Sequence, residues 1–399
     1  MAHERHLSTD GFALRTSFFY AVSCILIGIH LPFFPVWLQA KGFDAGQVGA
    51  ILSATALLRI ISVPVTTRAA ERGFPLRSVI IICACATALG FTALGLAPTH
   101  LLIVAFTVFA AFAHTPAMAL LDAYALRGLR TRGKAYGPVR LWGSISFIFA
   151  NLGAGIAFDL IDARQLIWLL AAAAIGIAVT SLWLLPLPTV HAVKDDPNAS
   201  RPLWRDPRFV AVVAAASLVQ SSHAFYYGFS TIAWKAAGFD GVAIGALWAL
   251  GVIAEIVLFA LSSRLPPWLS GVPMLMIGAA GGVLRWGIMA LDPPGWSLPL
   301  LQCLHGLSFG ASHLGAIAYI THTTHDGKSA TAQGYFSVMQ GITLSLGMLL
   351  AGLLYETIGV AGYAAMAVMA LVGGVIAAFV WMRPCDRDRP LRRSSDETQ

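Results

Sequence analysis

Apolar runs of about 20 residues recur along the whole length of this chain, each long enough to cross a hydrocarbon core about 30 Å thick. With no water in such a core, each run must satisfy its own backbone and should be a helix. The pattern predicts twelve spans, at 15–38, 46–68, 75–97, 99–125, 138–160, 164–185, 208–236, 242–263, 272–290, 297–321, 329–356 and 360–382. The longest polar break outside the tails runs from Pro186 to Pro207 and carries Lys194, Asp195, Asp196, Asn198 and Arg201. It divides the spans six and six. The expected organisation is therefore a tail at 1–14, a six-helix half at 15–185, a linker at 186–207, a second half at 208–382 and a tail at 383–399. The first run follows Arg15, is longer than a signal-peptide core and lacks a convincing small-residue cleavage site, so it reads as a retained helix.

An internal repeat supports the division. Gly42-Phe43-Asp44 precedes span 2 and Gly238-Phe239-Asp240 precedes span 8. A shift of 196 residues also aligns Gly49 with Gly245, Ala50 with Ala246 and Arg68 with Arg264, and places Arg59 on Glu255. Two membrane halves related by duplication are a recurring transporter plan. Small residues such as Gly153, Gly155, Gly347 and Gly352 let helices approach closely where lipid removes the hydrophobic drive.

Composition agrees with this picture. The 399 residues are 57% hydrophobic and 11% charged, against about 25% charged in a soluble domain. A soluble globule of this length could not hide so much apolar surface in one core. A net charge of +7 raises the question of nucleic acid, and the placement of the charges answers it. With the N-terminus inside, 21 of the 26 Lys and Arg fall on the inner face, among them Arg68, Arg72, Arg77, Arg127, Arg130, Arg132 and Lys134. Only Lys41, Arg164 and Lys235 lie outside, while Arg59 and Arg285 lie within spans. This is the positive-inside bias, which predicts both termini in the cytoplasm. The expected partner is thus a lipid bilayer, not nucleic acid. Cys24, Cys83, Cys85 and Cys303 sit in apolar helices as small hydrophobes, with no metal or disulfide pattern. No phosphate loop, metal-ligand cluster or Ser–His–Asp arrangement is present in the sequence. We expect no enzyme and no cofactor, and any transport must draw on a gradient.

An ionisable residue at the bilayer centre costs at least ~2.5 kcal/mol and is a functional candidate by default. Glu255 lies about eight residues, or ~12 Å, from the inner end of span 8. Arg59 is at similar depth in span 2 and shares a face with Thr55, Ser62 and Thr66. Arg285 in span 9 needs an anionic partner, and Glu255 is the nearest by span order; the pair would be either a switchable bridge or a permanent clamp. Asp122 at the end of span 4 and Arg140 at the start of span 5 flank a short basic loop, so they can meet, as an inner-face salt bridge or as substrate or proton contacts. Five histidines fall in spans: His30, His114, His223, His305 and His313. Each is either a proton relay or a hydrogen-bonded packing residue. Phe34, Tyr226, Tyr227 and Trp248 lie beside these groups, Trp248 being seven residues before Glu255 on nearly the same face. They read as packing or as the walls of an aromatic-lined cavity.

Several stretches carry a family resemblance over nearly the whole chain. These are His223-Ala-Phe-Tyr-Tyr-Gly-Phe-Ser230, Gly251-Val-Ile-Ala-Glu-Ile-Val-Leu-Phe-Ala-Leu-Ser262, Leu284-Arg-Trp-Gly-Ile-Met289, Tyr136-Gly-Pro-Val-Arg-Leu-Trp-Gly-Ser144 and the Asp122-Ala region. With them the chain resembles the 3-phenylpropionate permease family of proton symporters in the major facilitator superfamily. Pro32-Phe-Phe-Pro-Val-Trp-Leu38 is shared more widely, including with lactose permease. The resemblance implies an all-α fold of two pseudo-symmetric six-helix halves in a bacterial inner membrane. It implies a monomer that imports a small aromatic carboxylate with protons by alternating access. A sugar or nucleoside symporter is the alternative, and a receptor or sensor on the same scaffold a second. Lactose permeases place a carboxylate on span 8, an Arg on span 9 and a His on span 10, as Glu255, Arg285 and His305 or His313 would stand here. They also pair a span-4 carboxylate with a span-5 Arg, as Asp122 and Arg140 would. Span 10 here lacks the carboxylate those permeases use for the proton, which shifts that role toward Glu255 and the histidines. The superfamily's loop 2–3 motif is reduced to Glu71-Arg72-Gly73 with Arg77.

Overall fold

The computed structural model describes residues 11–187, 203–324 and 329–383, without the side chains of residues 70, 71, 329 and 330. Most of the expected linker, with Lys194, Asp195, Asp196, Asn198 and Arg201, lies outside the described residues, as do most of both tails and the Glu71 side chain.

The described residues form helices and the turns between them. Spans 1 to 9 run Phe12–Ala40, Ala45–Ala69, Leu76–Leu96, His100–Arg130, Gly137–Leu160, Ala163–Ser181, Pro207–Ala236, Gly241–Arg264 and Val272–Met289. A tenth long apolar stretch, Thr331–Met382, holds two helices, Ser329–Ile358 and Tyr363–Met382, which are spans 11 and 12. They reverse at Gly359, whose φ of +59° lies in the left-handed region that suits glycine. Span 10, at 298–323, is broken: Leu298–Cys303 leads into a π-helical turn, Gly306–Ala311, and then into Ser312–Thr323. The break keeps it short of a regular 18-residue helix, so nine single spans, the two helices of the tenth stretch and this interrupted span are consistent with the twelve expected.

Chain ends fix a common face. Arg15 donates to the Trp183 carbonyl at 3.2 Å, Arg77 to the Leu184 carbonyl at 2.6 Å and Arg208 to the Arg383 carbonyl at 2.6 Å. The starts of spans 1 and 3 and the end of span 6 therefore share one side, and because the end of span 5 meets the start of span 8 at the other side, the start of span 7 and the end of span 12 share it too; we call it the basic face.

Spans 1 to 6 pack as one bundle and spans 7 to 12 as another. The two bundles meet chiefly where span 2 lies on span 11 and span 5 on span 8. Glycine permits both contacts. A Cβ on Gly49 would stand 2.7 Å from the Gly352 Cα, and one on Gly245 would stand 2.5 Å from the Asn151 carbonyl oxygen. The contact between bundles runs from the face opposite the termini down to the level where Arg59 donates to Gln340 Oε1 at 3.3 Å. Arg59 is thus tied across the two halves, and its helix is interrupted beside it at Leu58.

Candidate functional site

Spans 8, 9 and 10 bring the ionisable groups of the second half together because small residues line their contacts. Gly251 packs on the His305 ring, and Gly306 lies so close to the Ala254 carbonyl that a Cβ there would stand 2.8 Å from it. Gly310 faces the Glu255 side chain. On the other side, Gly281 lets span 9 lie against Leu307 and Ser308. The π-helical turn, a feature often found at functional positions, thus sits between Glu255 and Arg285.

Arg285 is fully buried. Its Nη2 donates to Gln302 Oε1 at 2.5 Å, and its Nη1 donates to His305 Nδ1 at 2.9 Å and to Ser308 Oγ at 3.3 Å. The guanidinium also lies against two aromatic rings, 4.6 Å from the Tyr226 ring centroid and 4.5 Å from that of Trp286. Two π faces and three dipoles stand where the sequence suggested a carboxylate. The expected direct Glu255–Arg285 pair is not formed. His305 comes between them, with its Nε2 3.8 Å from Glu255 Oε2.

Donor and acceptor rules fix the protons in this chain. A guanidinium only donates, so His305 Nδ1 must accept and the ring proton sits on Nε2, toward Glu255. His223 Nδ1 lies 3.0 Å from the Gln220 carbonyl, which only accepts, so that nitrogen carries the proton. His223 Nε2 then accepts from Ser308 Oγ at 3.1 Å. His305 is thereby held neutral, with its Nε2–H toward Glu255 and outside hydrogen-bond range, while both nitrogens of His223 are engaged. Glu255 differs: 20% of its side chain is exposed.

In the first half, Asp122 accepts from the Tyr20 hydroxyl at 2.5 Å and from the Tyr136 hydroxyl at 2.8 Å. The sequence placed Asp122 and Arg140 near enough to meet. They are electrostatic neighbours, but the tyrosines take the carboxylate and no ion pair forms. Arg140 lies over the Tyr20 ring, 5.6 Å from its centroid, and its guanidinium makes no hydrogen bond among the described residues. Its Nη1 and the Cys24 Sγ each lie 2.8 Å from where a Cβ would stand on Gly143, so glycine there leaves the guanidinium its room. Arg140 also lies within electrostatic reach of Glu255 of the other half.

The aromatic candidates divide. Tyr226 packs on Trp248 at 4.3 Å and Tyr227 on Trp248 at 6.2 Å, beside Glu255 and Arg285. Trp248 is anchored by its Nε1 donating to Thr231 Oγ1 at 3.0 Å. Of this group Tyr227 keeps partial exposure. Phe34 stands apart, stacked on His30 at 4.6 Å and on Trp37 at 5.6 Å within the first bundle. His313 stacks on Phe309 at 6.0 Å, one step beyond His305. Sequence reasoning missed Ser308, Gln220, Tyr20, Tyr136 and Trp286 as partners. Their signal was a polar group inside an apolar span, too common here to single them out.

A model of the MFS_1 like family matches residues 13–364. The chain is 33% identical over 358 residues to a protein named "Probable 3-phenylpropionic acid transporter" in Escherichia coli (strain K12), covering 86% of this chain and 91% of that one. It is 26% identical over 332 residues to the "Maltose permease" of Geobacillus stearothermophilus, covering 80% and 82%. Among solved structures, nucleoside transporter NupG superposes with a TM-score of 0.73 at 18% identity, over 93% of this chain and 98% of that one. The POT family transporter PepTSo superposes at 0.72 with 10% identity, over 93% and 97%. At such identities the solved structures speak to fold alone.

Proposed function

From the premise that this chain belongs to the MFS_1 like family, and is a multi-pass transporter of the major facilitator superfamily, we propose that it imports a small aromatic carboxylate together with protons. The observation that carries this reading is a pair of opposite charges from the two halves that lie within electrostatic reach of each other. One is Arg140, a guanidinium with no acceptor of its own; the other is Glu255, a partly exposed carboxylate in the opposite half. The name of the Escherichia coli relative points to the same ligand class.

Arg140 is the seat for the substrate carboxylate, because a planar guanidinium receives a carboxylate in two parallel hydrogen bonds. Arg285 is fully enclosed and Arg59 is tied to Gln340, so neither offers a free fork to the cleft. The exposed edge of Tyr227, backed by Tyr226 and Trp248, is the wall for the aromatic ring. Ligand sites are commonly built this way, mostly apolar with a few placed polar groups. A carboxylate on Arg140 cancels the positive charge that favours ionised Glu255, so substrate and proton bind better together than apart. Such coupling is reciprocal. It also serves energetics, since moving an anion against an inside-negative potential costs ~2.3 kcal/mol per charge per 100 mV, which one accompanying proton cancels. The two halves would then rock about this site in alternating access, as a monomer in a bacterial inner membrane with the basic face toward the cytoplasm.

Two measurements bear on this reading. Purified protein should show quenching of its tryptophan fluorescence by 3-phenylpropionate and not by the neutral 3-phenylpropionamide; equal response to both would remove the carboxylate from recognition. For orientation, Arg205→Cys should react with a membrane-impermeant thiol reagent only from the cytoplasm, and Ala237→Cys only from outside, in a background free of native cysteines. Reaction of both from one side would overturn the assignment.

A further inference from the structure

The repeat between the halves continues at the face opposite the termini. A shift of 197 residues carries Gly155 onto Gly352 and Asp159 onto Glu356. Spans 5 and 11 thus each end with a glycine followed one turn later by a carboxylate. The helices they lie against, spans 8 and 2, begin with the repeated Gly-Phe-Asp turns.

Asp159 crosses the seam between the halves. Its Oδ1 accepts the Gly241 N–H at 2.7 Å and its Oδ2 accepts the Val242 N–H at 3.2 Å, both in the first turn of span 8. Span 8 has its own cap, Asp240, which accepts the Ala243 N–H at 2.7 Å. A helix start leaves several N–H groups without intrahelical partners, and here two carboxylates from opposite halves divide them. At the related seam, Glu356 Oε2 lies 2.8 Å from where a Cβ would stand on Gly46, in the first turn of span 2. That turn is capped by its own Asp44. Beside Asp159, Lys235 of the second half lies over the Phe158 ring of the first, 4.8 Å from its centroid.

We propose that Asp159 and Glu356 are pseudo-symmetric latches that close the transporter at the face opposite its termini. The glycine contacts beneath them set how near the helices come, but in lipid small-residue packing has no hydrophobic drive behind it. The carboxylates supply charge-assisted bonds, roughly twice as strong as neutral ones, to the positive end of a helix dipole. Pulling Asp159 away strands two N–H groups until water reaches them, so this seam parts only as it wets. The two latches are unequal: Asp159 makes two backbone bonds, while Glu356 stands over its turn with no hydrogen bond among the described residues. The seam of spans 5 and 8 should hold the more tightly. This holds whatever the substrate is.

Ser53 gives a reporter, since its Oγ lies 2.8 Å from Ser345 Oγ, one turn deeper than the Gly49–Gly352 contact. In a background without native cysteines, Ser53→Cys should react slowly with a membrane-impermeant maleimide applied at the face opposite the termini. Adding Asp159→Asn should raise that rate about tenfold, the scale of one lost charged hydrogen bond. Adding Glu356→Gln as well should raise it further, and Asp159→Glu should stay within about twofold of the parent. Labelling at the parental rate in both Asp159→Asn and the double variant, each monodisperse after extraction, overturns the latch. So does an equal rise in Asp159→Glu, which would mean lost packing and not lost charge.

Discussion

Glu255→Gln is expected to abolish accumulation of substrate against its gradient while leaving exchange of substrate across the membrane intact. The expectation rests on how the protons are already committed around it. Arg285 can only donate, so His305 Nδ1 is held as an acceptor and the ring stays neutral while that 2.9 Å bond lasts. His223 is committed between the Gln220 carbonyl and Ser308. Glu255 alone of this set is partly exposed and has no hydrogen bond to lose, its contact with His305 being 3.8 Å. A glutamine keeps the shape and cannot take up or release a proton. Net uptake needs that release on every cycle, whereas exchange does not. In proteoliposomes with an inward proton gradient, steady-state accumulation by the variant should fall to the equilibration level, with counterflow within about threefold of the parent, under 1 kcal/mol. Full accumulation by Glu255→Gln would rule it out as the proton carrier and turn attention to His305.

The membrane spans were largely legible in advance because each is a continuous apolar run, and length alone separates such a run from a core helix. The start of span 1 falls at Phe12 against an expected 15, and the end of span 12 falls at Met382 as expected. Span 10 was not legible in its detail. Nothing around Gly306–Ala311 announces a π-helical turn, and it is that turn which sets His305 and Ser308 between Glu255 and Arg285. The expected direct ion pair failed for the same reason. The Asp122 environment was hidden differently: Tyr20 reaches it from 102 residues away in sequence, and no local pattern reports a contact between spans 1 and 4. Phe34 was grouped with Tyr226, Tyr227 and Trp248 on residue type, yet it stacks on His30 and Trp37 in the other bundle.

Arg140→Gln should raise the half-saturating concentration of an aromatic acid by about 30- to 150-fold, the equivalent of ~2–3 kcal/mol for a lost charge-assisted pair. Arg140→Lys should fall between, because an ammonium keeps the charge and loses the fork. The reason for choosing Arg140 is its lack of other employment: it lies over the Tyr20 ring and beside the Cys24 thiol with no hydrogen bond among the described residues, and Tyr20 and Tyr136 have already taken Asp122. Removing a cation that also faces Glu255 should weaken the link between substrate and proton, so the variant's affinity should depend less on pH than the parent's. An unchanged half-saturation in Arg140→Gln would move the carboxylate seat to Arg285 or Arg59, each of which would first have to leave its present partners.

The most direct test of the account is uptake by the purified chain in proteoliposomes. With an inward proton gradient, the vesicles should accumulate labelled 3-phenylpropionate or a close aromatic acid above the external concentration, and a protonophore should collapse that accumulation. Absence of gradient-driven uptake across a panel of aromatic acids, together with gradient-driven uptake of a sugar or a nucleoside, would contradict it.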